Sequence, residues 1–188
     1  MWQHFTDGIR HITDISGYDH MLFLLALCAP YTWKQWKPVV WLATAFTLGH
    51  SISLALAAFG VVRFSSYYVE LLIPASIVVT ALTNISYLKH SANHVPWTRY
   101  VVTTIFGIIH GLGFSSFFRM IYDETSSLIK SLLLFNLGVE VGQLAIIVVI
   151  LTIAWLLIQV CKVNNKVYNG VLSLIALGLG VWLLIEKL

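Results

Sequence analysis

SLIKSLLLFNLGVEVGQLAIIVVILTIAWLLIQV, residues 127–160, decides the fold class of this chain. Over the whole stretch Lys130 and Glu140 are the only formal charges. A helix that crosses a bilayer takes about 20 mostly apolar residues at 1.5 Å each, so this run is longer than one crossing needs. Composition agrees: of 188 residues 59% are hydrophobic and 10% charged, against about 25% charged in a soluble domain. Seven Trp and eight Tyr suit the belts where aromatic rings meet headgroups. The net charge of +3 comes from scattered Lys and Arg without a basic cluster, which argues against a nucleic-acid partner. Cys28 and Cys161 form no CxxC, so neither a disulfide framework nor a thiolate site is expected. The reading is an all-α integral membrane protein whose first partner is the lipid bilayer.

Working outward, the hydropathy predicts one polytopic domain, residues 1–188, of about six transmembrane helices: 18–31, 39–60, 67–88, 100–120, 127–160 and 167–185. The first is short and the fifth long. Residues 1–16 are polar and aromatic, and are expected to lie along the interface with Trp2 and Phe5 towards lipid. Asp7, Asp14 and Asp19 and the lack of a small-x-small cleavage pattern argue against a cleaved signal peptide. Pro38, Gly60 and Pro96 are placed in or beside connectors. Six crossings put both termini on one side. The odd connectors hold Lys34, Lys37, Lys89, Arg99, Lys162 and Lys166 without an acid. The even connectors and tails hold Arg10, Arg63, Arg119, Lys130 and Lys187 beside Asp7, Asp14, Asp123 and Glu124. Six basic residues against five favour termini outside.

Polar residues inside such spans need partners or water. The first span opens on Asp19 and His20, with His11 and Asp14 just before it. The second carries Thr44, Thr47, His50 and Ser51 on one face; the fourth carries Thr103, Gly107, His110 and Gly111; the fifth carries Asn136, Glu140 and Gln143. Histidines and carboxylates on several helices suggest one convergent site. Imidazole nitrogen and carboxylate oxygen suit a divalent transition metal, Ni, Zn, Cu or Fe. The expected ligands are Asp19, His20, His50, His110 and Glu140, with His11, Asp14, Ser51, Asn136 and Gln143 behind them or at the mouth. A packing reading stays open beside this one: each histidine as a hydrogen-bonded core residue, and Glu140 protonated and bonded to Asn136 or Gln143.

The run His11-Ile-Thr-Asp-Ile-Ser-Gly-Tyr-Asp-His20-Met-Leu-Phe-Leu-Leu resembles the opening signature of the hydrogenase/urease accessory membrane proteins of HupE/UreJ type. Thr44-Ala-Phe-Thr-Leu-Gly-His50-Ser51, Phe106-Gly-Ile-Ile-His110-Gly-Leu-Gly-Phe114 and Phe135-Asn-Leu-Gly-Val-Glu140-Val-Gly-Gln-Leu144 are similar to its later blocks, in the same order. The resemblance implies a permease-like protein of a bacterial cytoplasmic membrane, associated with nickel or a related metal, whose His-and-Asp motif maps to His11, Asp19 and His20. Seven residues separate His11 from Asp19 where five is usual, which leaves Asp14 to share the place of His11.

Three functions follow as expectations. A permease would take a dehydrating cation at Asp19 and His20 and hold it deeper at His50, His110 and Glu140. An intramembrane zinc hydrolase acting on a lipid or amide would use Glu140 as general base and Ser51 to position substrate. A non-transporting accessory subunit would use the same residues as glue. The chain is small for a rocking transporter, which makes room for a homo-oligomer or an accessory partner.

Overall fold

The computed structural model describes residues 2–14, 17–86, 88, 95–121 and 127–188; His90, His94, Lys89, Asp123 and Glu124 lie outside the described residues, as does the side chain of Arg119. Within them the chain is all helical: α1 (Trp2–Thr13), α2 (Tyr18–Cys28), α3 (Trp36–Ala58), α4 (Ser66–Ser86), α5 (Trp97–Ile121), α6 (Leu128–Trp155) and α7 (Asn165–Glu186). A 3-10 turn, Trp33–Gln35, leads into α3, and a π-turn, Leu156–Val160, extends α6. Among the described residues four segments are long and apolar enough to cross a membrane: Trp33–Ala58, Ser66–Ser86, Leu128–Val160 and Asn165–Glu186. That makes the chain an integral membrane protein. The α5 helix is as long as these.

The boundaries correct two sequence expectations. Pro38 is not in a connector but in the first turn of α3, where the missing N–H has no helical acceptor to lose. The first apolar helix ends at Cys28 rather than residue 31.

The N-terminal segment brings the larger correction, since α1 is docked along α6 rather than resting on lipid alone. Its buried stripe, His4, Gly8 and Ile12, recurs every four residues and faces α6. Gly8 lies on the backbone of Phe135, Gly138 on that of Phe5, and Gly142 on the side chain of Ile12, so none of the three has room for a Cβ. Small residues on both helices let the backbones touch where no water-driven force would hold them. The contacts climb together in number, so α1 and α6 run in the same direction. Farther along α6, Ile147, Ile150 and Leu151 share a core with Leu22 to Cys28 of α2. The two short helices α1 and α2 thus follow one another down α6, α1 ending at Thr13 and α2 beginning at Tyr18.

The α3 and α5 helices form a second parallel pair of the same kind. Gly49 lies on Thr104, Gly107 on Phe46, and Gly111 on His50 and Ser53, again with no space for a Cβ. The histidines of both pairs therefore hang from elements whose separation is fixed by backbone contact.

Candidate metal site

Four imidazoles gather where the α1–α2 break meets α3 and α5. The ring centroids of His11 and His20 are 4.5 Å apart, those of His11 and His50 5.7 Å, and those of His20 and His110 5.0 Å. His50 and His110 are almost completely buried, at 0% and 1% exposure. His11, His20 and His50 each present a ligand atom such that all three lie within 4.8 Å of one another.

Hydrogen bonds settle which nitrogen of three rings carries the proton. His20 Nδ1–H donates to Asp19 Oδ1 at 2.9 Å. Asn136 Nδ2 donates to the Leu132 carbonyl at 2.8 Å, which turns its Oδ1 towards His50 and makes His50 Nδ1–H the donor at 3.2 Å. The Ser76 hydroxyl donates to the Ile73 carbonyl at 2.6 Å, so its oxygen accepts from His110 Nε2–H at 3.2 Å. The nitrogens left over, His20 Nε2, His50 Nε2 and His110 Nδ1, are buried without a hydrogen-bond partner among the described residues, and so is His11 Nε2. A buried lone pair with no donor is costly in a core and correct in a metal site, where the other ring nitrogen is tied to a carboxylate, carbonyl or hydroxyl. Around a tetrahedral ion with bonds of 2.0–2.1 Å the nitrogens sit about 3.3 Å apart. The cluster is therefore gathered but wider than a closed site.

A cavity of about 580 Å³ runs from the surface to these rings, and His11, His20 and His110 line its inner end. Asp7, Arg10, Asp14 and Glu70 line its mouth. Glu70 also accepts from Lys187 at 2.9 Å, a hydrogen bond that raises the lysine above its ordinary range. Asp19, expected to meet the cation, lines the cavity and orients His20 through one oxygen.

Not every expected residue converges. Glu140 lies outside the histidine trio: its Oε1 is bonded to the Thr44 hydroxyl at 2.7 Å and its Oε2 is buried without a partner among the described residues. Gln143 accepts from Thr47 at 3.1 Å. These two and the His50–Asn136 bond form a polar ladder between α3 and α6. The Ser51 hydroxyl donates to the Thr47 carbonyl at 2.6 Å, within its own helix. Sequence reasoning set His11 behind the ligands or at the mouth, whereas the structure gathers it with His20 and His50. Ser76 and Glu70 went unnoticed altogether. The four-residue stripe His4, Gly8, Ile12 was the signal available for His11, since it marks α1 as a helix packed on another.

The sequence model of the HupE / UreJ protein family matches residues 1–187, the whole chain but its last residue. The chain belongs to the HupE/UreJ family. Neither a curated relative nor a solved structure matches it. The family is linked to the handling of metal, nickel in particular, and the histidine trio could bind such an ion.

Proposed function

We propose that this HupE/UreJ protein is a permease for a divalent transition metal, nickel or a close relative, in the cytoplasmic membrane of a bacterium. The observation that supports it is the set of four buried imidazole nitrogens without partners among the described residues, three of them on rings that line the inner end of an open cavity. Three of them have their lone pair exposed by the tautomer their neighbours impose. Nitrogen donors suit Ni, Zn and Cu and suit Mg or Ca poorly.

In this reading α1 and α2 together make one crossing, broken at the level of the site, and α3 to α7 make five more. Broken helices at a buried site are the recurring architecture of transporters, because irregular backbone is tolerated where it lines a cavity. The acids at the mouth, Asp7, Asp14 and Glu70, collect the cation on the side of the termini, which faces outwards. Asp19 holds His20 in its metal-binding tautomer, and His11, His20, His50 and His110 replace the water shell. Glu140 belongs to the ladder between α3 and α6. Because neutral imidazole is the ligand, protons compete with the cargo.

Protein purified without a polyhistidine tag and reconstituted into liposomes should take up nickel, or zinc at comparable concentration. His50→Ala and His20→Ala should abolish uptake. Uptake that persists in both variants, or wild-type protein that binds neither metal, overturns the proposal.

A further inference from the structure

On the far side of the histidines lies a smaller cavity of about 140 Å³ that the metal site does not use. The same three helices line both spaces. On α2 the larger cavity touches Gly17, Asp19 and His20, and the smaller one touches Leu27, seven residues on or roughly 10 Å along the axis. On α5 the corresponding residues are His110 and Phe106, one turn apart.

Between the two spaces stand three phenylalanines. Phe23 lies 5.1 Å from Phe46, 5.9 Å from Phe106 and 5.5 Å from His110, measured between ring centroids. Phe46 lies 5.1 Å from His110. The rings form an apolar cork directly beneath the imidazoles. Polar groups continue past it. Ser76, which holds His110, is followed one turn later by Thr80 and then by Thr83 and Asn84, all three lining the smaller cavity. Thr80 and Thr83 donate to carbonyls of their own helix, at 2.8 and 2.7 Å, so what they offer the cavity is oxygen lone pairs.

Arg99 stands at the far end of this half-open space. Its guanidinium donates to the Tyr31 hydroxyl at 3.0 Å and to Asn84 Oδ1 at 3.1 Å, while Asn84 Nδ2 donates to the Ala26 carbonyl at 2.6 Å. One side chain at the start of α5 thus ties the ends of α2 and α4 together and sets a permanent positive charge where a cation would emerge.

We propose that the smaller cavity is the exit half of the metal path, a second vestibule sealed from the histidines by Phe23, Phe46 and Phe106 and open past Arg99 at its far end. The inference rests on the permease reading. A dication leaving four nitrogens would meet hydroxyl and amide oxygens, which bind such metals more weakly and let it go. Passage needs the rings to move aside, and the rings shut keep the path from leaking.

The test uses the full chain in sealed vesicles, with Cys28→Ser and Cys161→Ser removing the native thiols. A membrane-impermeant maleimide is added from either side to Thr103→Cys or Thr80→Cys, both of which line the smaller cavity. The expected result is labelling from the side of residues 31–35 and none from the side of the termini. Adding Phe106→Ala should open labelling from the side of the termini as well. Ala43→Cys, buried and lining neither space, should stay unlabelled throughout. If both cavity positions are inert from both sides, or react equally from both with the rings intact, the exit path is overturned. Nickel affinity measured on the same detergent-purified variants separates the two ideas: failed labelling with intact binding removes the exit alone. Labelling without binding overturns the permease reading itself.

Discussion

Replacing Asn136 by alanine tests the metal site through a residue that touches no metal. Its carboxamide accepts from His50 Nδ1 and is itself fixed by the Leu132 carbonyl, and His50 is 0% exposed. Alanine leaves a buried N–H without an acceptor, which costs about 1–3 kcal/mol of stability whatever His50 does. If His50 is a ligand, a second loss follows. The ring is then free to rotate and change tautomer, and loss of such an outer hydrogen bond lowers metal affinity by roughly 10–100-fold, or about 1.4–2.8 kcal/mol. Asn136→Asp keeps an acceptor in place and should recover most of the affinity, separating orientation from packing. The assay is calorimetric titration of nickel or zinc into tag-free protein in detergent, paired with thermal unfolding with and without metal. Saturation at about 100 times Kd adds roughly 2.7 kcal/mol to the folded state, enough to be seen as a rise in melting temperature. If Asn136→Ala melts earlier yet binds metal as the native chain does, His50 is a packing residue and the reasoning fails.

Further outcomes follow from the same geometry. Ser76→Ala removes the acceptor for His110 Nε2–H and should weaken nickel binding less than His20→Ala does, measured by the same titration. Gly138→Leu drives a side chain into the backbone of Phe5, so it should undock α1, lower the melting temperature and remove His11 from the site together; retained metal affinity would separate α1 from binding. Metal loading should weaken as pH falls towards the histidine range and should release protons in weakly buffered solution, since the ligand is the neutral ring. The Glu70–Lys187 pair is exposed, and such pairs contribute about 0–1 kcal/mol, so Glu70→Gln should leave the melting temperature nearly unchanged while slowing uptake at low metal concentration and low salt.

Helical periodicity and the rarity of charge made the membrane class and the polar faces legible. Asn136 and Gln143 were expected behind the ligands; that they pair with His50 and Thr47 came from the structure. Two things could not be read that way. Glu140 shares a face with Asn136, but which of two neighbours a long side chain reaches depends on the rotation of α6 against α3, and Thr44 is the answer. His11 was set behind the ligands or at the mouth because its spacing from Asp19 departs from the usual pattern, and residues 1–16 were read as lying along the interface. What buries them is backbone contact at Gly8, Gly138 and Gly142, a property of two distant segments that hydropathy does not register.

The two glycine-backed pairs sort the histidines by body. His11 rides on α1 against α6, while His50 and His110 ride on α3 and α5. Each pair is fused by contacts that admit no slack, and the seam between them is closed by the side-chain ladder of Thr44, Thr47 and His50 with Glu140, Gln143 and Asn136 and by an apolar cluster that holds Leu54 with Phe135 and Val139. An ion gripped by His11 and His50 would act as a rivet across that seam, stiffening it beyond what ladder and cluster give.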